Sequence, residues 1–256
     1  MSTKPISIQL YSLREEAKTD FPGVLRRVAE IGFRGVEPAG FHGLTPAAFR
    51  RMVEDLGMVI SSTHSPWATP DNLQETIDTL GVLGVDLVAA GVGQDDFRTV
   101  DTIRATAERF AAMDEQLSHA GITMTVHNHW WEFERIDGRL KMDILLEHAP
   151  RLRLELDTYW ACNFGANDAA EMVRRHGARS PLLHIKDGTL RKDEPLVAVG
   201  AGRNDIRGIV AALDPAVTRW LVVEQDNSAT DMFECMRASY NFMVGNGLAS
   251  GRINVG

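Results

Sequence analysis

The sequence predicts a single-domain α/β protein, a closed (β/α)8 TIM barrel over residues 1–256. Three observations predict it. Strand-like and helix-like segments alternate along the whole chain. Roughly eight such units fit a length typical of this barrel. Four of the apolar strands end in polar groups, as they must if they open onto a shared site.

The strands are expected at residues 6–11, 35–38, 59–64, 87–90, 123–128, 152–157, 182–186 and 220–224. Between them, helices are expected to start near Phe21, Thr45, Asp71, Thr99, Lys141, Asp168, Ile206 and Ser228. Thr45-Pro46 reads as an N-cap followed by proline at the first helical position. Asp71, with Gln74 three residues on, reads as a capping box. Gly32, Gly57 and Gly121 fall where helices should stop before the next strand. Alternating βα units demand parallel strands joined by right-handed crossovers. The competing architecture, an open doubly wound sheet, lacks support because no Gly-rich phosphate loop follows the first strand. Nothing resembling a linker divides the chain, and residues 165–167 and 190–204 read as surface loops.

A formal net charge of -8 and a pI near 5.5 argue against a general affinity for nucleic acid or anionic membrane. Cys162 and Cys235 have no metal-ligand spacing and form no disulfide framework. No signal peptide is visible, and no apolar run approaches the roughly 20 residues of a membrane span. A cytoplasmic protein is expected. A homo-oligomer is compatible with the sequence, although no segment marks an interface.

The fifth strand runs into Val126-His127-Asn128-His129-Trp130-Trp131-Glu132-Phe133. Burying two imidazoles, an amide and a carboxylate is costly unless something pairs with them. Later strands end in Glu155 and Asp157, in His184, Lys186 and Asp187, and in Glu224 and Asp226. In a barrel these ends converge on one face, with Tyr11, Glu37 and His64 from earlier strands. Side chains alternate along a strand, so His184 shares a direction with Lys186, and Glu224 with Asp226. A divalent cation at that convergence explains the grouping. Each residue also has a plainer role open to it: Asp157 as a helix cap, His184 as a satisfied core histidine, Glu224 in a salt bridge, and Glu37 as a rim carboxylate paired with arginine.

As a set, the chain resembles the sugar phosphate isomerase/epimerase superfamily of xylose isomerase-like barrels, which also includes the endonuclease IV type. The resemblance rests on Gln9-Leu10-Tyr11-Ser12-Leu13, Gly32-Phe33-Arg34-Gly35-Val36-Glu37, His127-Asn128-His129 with Glu132-Phe133, Leu156-Asp157-Thr158-Tyr159-Trp160, His184-Ile185-Lys186-Asp187, Val199-Gly200-Ala201-Gly202 before Asp205, and Val223-Glu224. It implies one divalent ion held by Glu132, Asp157, His184 and Glu224. Three carboxylates and an imidazole suit Mn²⁺ or Mg²⁺, with Zn²⁺ or Co²⁺ also acceptable. Many relatives supply the first Glu where this chain has His127. Glu132 must therefore fold back to reach the ion, or His127 or His129 serves instead. Some epimerases carry a histidine three residues after the metal Asp, where this chain has Trp160.

The resemblance further implies α-proton abstraction beside a carbonyl, with Glu132 and Glu224 as the acid/base pair. His127, His129, Lys186, His64, Glu37, Trp160 and Arg191 are the expected substrate contacts. With only five lysines and few strand-end cations, little is available to bind phosphate. The expected activity is an isomerase or epimerase acting on a non-phosphorylated ketose, keto-glycoside or polyol. The alternative is a metal-dependent lyase or dehydratase of the inosose dehydratase or 3-keto-glycoside eliminase type. An endonuclease would need a multi-metal, histidine-rich site and a basic face, neither of which the sequence provides. The intact Asp157, His184 and Glu224 argue against a non-catalytic subunit.

Overall fold

The computed structural model describes residues 3–252, so the single-domain expectation for residues 1–2 and 253–256 lies outside the described residues. Eight parallel strands form the barrel: β1 (Ile6–Gln9), β2 (Gly35–Glu37), β3 (Val59–Ile60), β4 (Leu87–Ala90), β5 (Thr123–His127), β6 (Arg153–Asp157), β7 (Leu182–Ile185) and β8 (Trp220–Val223). Their spatial order is β3-β2-β1-β8-β7-β6-β5-β4. An isolated bridge between Thr63 and Val88 joins the two ends of that order, with Thr63 N–H donating to Leu87 O (3.2 Å) and Ala89 N–H to Thr63 O (3.0 Å). The barrel is therefore closed, as the sequence predicts.

Several regular strands are shorter than expected. β1 gives way at Leu10 to a 3₁₀ turn, and β3 keeps two residues of regular pairing. The helix after β1 begins at Arg14 rather than Phe21. Phe21 instead opens its second half. Asp20 leaves helical geometry (φ -146, ψ 76), and its carboxylate accepts the Gly23 N–H at 2.9 Å. Thr45 caps the Pro46–Asp55 helix through Ala48 N–H, as expected. The capping box at Asp71 does not form, because Asn72 takes the N-cap and turns its Oδ1 back to Thr69 N–H. The last helix, Met232–Gly245, starts after Asp231 rather than at Ser228. At Gly32 the chain turns at φ 114, and a Cβ there would sit 2.4 Å from Tyr240 Oη, so glycine is required twice over.

Alternation along the strands sorts the core into two regions. Ile6, Ile8, Leu154, Leu156, Leu183, Ile185, Leu221 and Val223 pack outward against the helices in the main apolar cluster. Leu87, Leu182 and Val222, with Trp220 beside them, form a separate small cluster inside the barrel. His184 lies two residues beyond Leu182, and Glu224 two beyond Val222, so both continue the inward-facing rows upward. Among the described residues, no helix is long and apolar enough to cross a membrane.

Candidate metal centre and active site

Strand register brings the polar side chains together. Asp157 lies opposite His184, His127 opposite Glu155, and Gln9 opposite Glu37. All of these side chains are buried. They form two tiers that share His184.

The lower tier is Glu37, His64, Glu155 and His184. Glu155 Oε1 lies 2.5 Å from His184 Nε2 and 2.6 Å from His64 Nε2. Glu37 Oε2 accepts from Gln9 Nε2 at 2.6 Å and pairs with His184 Nε2 at 2.9 Å, and its other oxygen accepts from Ser62. Burial alone would lower both histidine pKa values. Glu155 and Glu37 outweigh it, raising His64 and holding His184 well above the ordinary imidazole range. Glu155 is correspondingly held well below its usual value, against its own desolvation, by His64 and His184. These four groups could also hold an ion, but they pair with one another and leave no buried polar atom without a partner.

The upper tier is His127, Asp157, His184 and Glu224, whose ligand atoms all lie within 4.8 Å of one another. His184 presents Nδ1 to this tier, 2.9 Å from Glu224 Oε2. His127 Nε2 is buried without a hydrogen bond, 3.6 Å from Asp157 Oδ2, an oxygen whose close partner is the Lys186 ammonium at 2.9 Å. Burial pushes His127 down to about 4, so its ring is neutral and Nε2 is free to donate an electron pair. Asp157 Oδ1 is already committed, accepting Tyr159 and Trp160 N–H at the start of the next helical turn. The helix-cap and ligand roles of Asp157 therefore fall to different oxygens. An unpartnered imidazole nitrogen converging with two carboxylates and a second imidazole is a donor set that could hold a divalent cation.

Lys186 closes this tier from one side. Its Nζ lies 2.9 Å from Asp157 Oδ2, 2.9 Å from Glu224 Oε2 and 2.8 Å from Asp226 Oδ2. Desolvation would discharge it, but Asp157, Asp226 and Glu224 hold its pKa well above the usual lysine value. Lys186 is fully buried and does not line the cavity, so the expected substrate contact becomes a counter-charge to three carboxylates.

Glu132 lies outside both tiers. Its Oε2 accepts His129 N–H at 2.9 Å, and its Oε1 lies 3.4 Å from His129 Nδ1. Burial raises its carboxyl pKa, with the His129 hydrogen bond pulling the other way. The 3₁₀ turn Trp131–Phe133 carries Glu132 back under His129 rather than across to Asp157. In the group that could hold an ion, His127, at the strand end itself, stands where Glu132 was expected, which is the alternative the sequence left open.

Above the upper tier opens a cavity of about 540 Å³, walled by Tyr11, His64, Trp67, His127, His129, Glu224 and Asp226 among others. His64, His127, His129 and Glu224 thus reach the cavity as expected. Glu37 does not, because it is fully buried beneath His184 and spent on orienting it. Trp160 and Arg191 line a neighbouring cavity instead. No lysine or arginine lines the main cavity.

Glu155 and Asp187 were legible in the sequence as strand-end polar groups, but their partners were not. Glu155 sits two residues before Asp157 and so shares its inward direction. Asp187 holds backbone rather than side chains. Its carboxylate accepts the N–H groups of Gly188, Gly200, Gly202 and Asn204 at 2.8 to 3.0 Å, pinning the long loop after β7 to the barrel rim. The turn expected at Gly200-Ala201-Gly202 is built on that carboxylate, and a Cβ on Gly202 would lie 2.1 Å from it.

The family model of the xylose isomerase-like TIM barrel matches residues 25–241. This chain belongs to that family. A comparison with functionally curated proteins finds no match. Among solved structures, the xylose isomerase-like barrel is similar to a sugar phosphate isomerase/epimerase from Parabacteroides distasonis, with a TM-score of 0.82, 23% identity, and coverage of 98% of this chain and 96% of that one. A structure of L-ribulose 3-epimerase superposes with a TM-score of 0.69 at 18% identity, over 97% and 95% of the two chains. The probable 3-DHS dehydratase of petrobactin synthesis from Bacillus anthracis gives 0.72 at 12% identity, over 94% and 98%. At these identities the likeness shows the fold alone. These structural neighbours are named as isomerase, epimerase and probable dehydratase, so the fold hosts more than one reaction.

Proposed function

We propose that this protein is a divalent-metal-dependent isomerase or epimerase acting on a non-phosphorylated ketose, keto-glycoside or polyol. The observation that carries the reading is the convergence of His127, Asp157, His184 and Glu224 at the floor of the cavity, with His127 Nε2 buried and lacking a hydrogen-bond partner. The mixed imidazole–carboxylate set suits Mn²⁺, Zn²⁺ or Co²⁺ at least as well as Mg²⁺. A bound ion would polarise a substrate carbonyl and acidify the adjacent C–H.

The chain's own groups then move the proton. Lys186 and His184 hold Glu224 well below its usual pKa against desolvation, so its carboxylate stays ionised and faces the cavity. Glu224 accepts the α proton. Returning it to the neighbouring carbon, while the hydroxyl proton crosses to the former carbonyl oxygen, gives isomerisation. Delivery to the opposite face of the same carbon, from His129 backed by Glu132, gives epimerisation. Trp67, exposed and tilted against His64 at 4.3 Å between ring centroids, offers an apolar face to the sugar. The absence of cations from the cavity wall supports an unphosphorylated substrate.

One observation favours a second reading, a metal-dependent lyase or dehydratase. His129 stands on the cavity wall apart from the ligand cluster, placed to protonate a departing β-oxygen while Glu224 takes the α proton. Two measurements test the pair. Mn²⁺ should raise the melting temperature of the purified protein, by the equivalent of about 2.7 kcal/mol at a hundred times its Kd. Incubation with keto-sugars should leave the ultraviolet spectrum unchanged for isomerisation, whereas elimination produces a conjugated chromophore. A protein that gains no stability from Mn²⁺, Zn²⁺ or Co²⁺ is not the enzyme described.

A further inference from the structure

A second cavity, of about 420 Å³, lies beside the candidate active site on the same rim of the barrel. Four aromatic residues wall it: Trp130, Tyr159, Trp160 and Phe164. Their rings meet at angles rather than in parallel stacks, with Trp130–Phe164 centroids 5.8 Å apart at 50° and Trp160–Phe164 5.9 Å apart at 70°.

Only one layer of side chains separates the two cavities. Lys186 Nζ sits 5.4 Å from the Trp160 ring centroid on one side and 2.8 Å from Asp226 Oδ2 on the other. Asp226 lines the main cavity, and its neighbour Asn227 lines the second. Trp160 is also tied to the ligand cluster through Asp157 Oδ1, which accepts its backbone N–H at 2.9 Å. The two cavities share no lining residue, so a substituent on a sugar held over His127 and Glu224 would reach the indoles along the rim past Asp226 and Asn227, over the buried Lys186.

The backbone is committed to this shape. Six non-glycine residues among those described take positive φ, and four of them, Asn163, Phe164, Leu190 and Asp193, lie on the two segments that flank this cavity. Such conformations are rare for L side chains and gather where a structure holds a ligand surface in place. The rim charges balance: Arg191 faces Glu194 at 3.4 Å, and Lys192 lies over the Trp130 ring at 4.8 Å. An aromatic box with a mixed-sign, solvent-facing rim fits a neutral ring with one apolar face.

We infer that this cavity is a second binding subsite, taking a neutral ring (a second sugar or an aryl group) attached to the sugar that occupies the main cavity, so that the preferred substrate is a glycoside rather than a free monosaccharide. This rests on the sugar-directed reading of the main site. The test compares methyl, phenyl and glucosyl derivatives of glucose in both anomeric forms, binding to the Mn²⁺-loaded protein, by calorimetry and by indole N–H shifts of Trp130 and Trp160. At least one phenyl glucoside or disaccharide should bind about ten-fold tighter than its methyl counterpart. Phe164→Gly, which removes a ring while relieving its backbone, and Trp160→Ala should each erase that gap and leave the affinity for Mn²⁺ unchanged. A phenyl advantage without a disaccharide advantage assigns an aryl occupant, and the reverse assigns a sugar. Equal binding of methyl and ring-bearing forms, or no glycoside binding by a protein that takes up Mn²⁺, overturns the subsite. Failure to take up any ion instead overturns the metal centre.

Discussion

Lys186 Nζ lies 2.9 Å from Asp157 Oδ2, and neither side chain reaches solvent. A buried ammonium thus stands against the same carboxylate oxygen that faces the orphaned His127 nitrogen. Lys186 is the counter-charge shared by Asp157, Glu224 and Asp226. Lys186→Met should destabilise the metal-free protein by about 3–5 kcal/mol, the usual penalty for breaking a buried charge pair. Saturating Mn²⁺ should restore much of that loss, because the ion supplies the missing positive charge. Urea denaturation with and without Mn²⁺ checks this, and equal losses under both conditions would show that Lys186 and the ion do not share carboxylates.

Glu155 is expected to matter to the site without touching substrate. It holds His184 by Nε2 so that Nδ1 faces the upper tier. Glu155→Gln should lower Mn²⁺ affinity about 10- to 100-fold, as loss of a carboxylate behind a ligating histidine commonly does. It should also cost about 3 kcal/mol in urea, since two buried imidazoles lose their main counter-charge. Calorimetric Mn²⁺ titration of the variant decides the first point.

The loop after β7 should depend on Asp187. Asp187→Ala removes the acceptor of four backbone N–H groups. Water can reach part of that rim, so the expected cost is only about 2 kcal/mol. Hydrogen exchange should show amide protection falling at Gly200, Gly202 and Asn204 while the barrel strands keep theirs. Unchanged exchange at those amides would count against the anchoring role.

Acid sensitivity should come in part from His176, remote from the site. Burial pushes its pKa down to about 4, against the pull of Asp143, with Arg175 and Arg179 adding to the depression. Its ring packs edge-on to Phe133, 5.6 Å between centroids. A histidine depressed on folding takes its proton first in the unfolded chain. Its neutral form therefore favours the fold fully above about pH 6.5, and that contribution is lost as pH falls toward 4. The linkage amounts to about 3 kcal/mol over this window. His176→Gln should flatten the fall in urea midpoint between pH 6.5 and 4, and an unaltered slope would falsify the assignment.

The sequence alone determined the barrel and the rows of its inner face. Alternation with period two is a local property, and it paired His184 with Lys186 and Glu224 with Asp226 in direction, while the strand ends gave Asp157 its place on the same face. Turn chemistry was legible where the capping group acts on its own helix, as at Thr45 and Gly32. It failed at Asp71, where Asn72 found a competing partner in Thr69 N–H.

What only the tertiary structure decided was which polar groups meet. Glu132 and His127 were both in reach of the site by sequence, and the path of the turn at residues 131–133 separated them, sending Glu132 to His129. Glu37 and Lys186 read as substrate contacts, but the barrel's register placed one beneath His184 and the other among three carboxylates. Pairing of charges across strands depends on distances between segments far apart in the chain, and no local pattern carries that information. The aromatic walls of the second cavity are of the same kind: Trp130 and Phe164 lie on different loops and became neighbours only when the barrel closed.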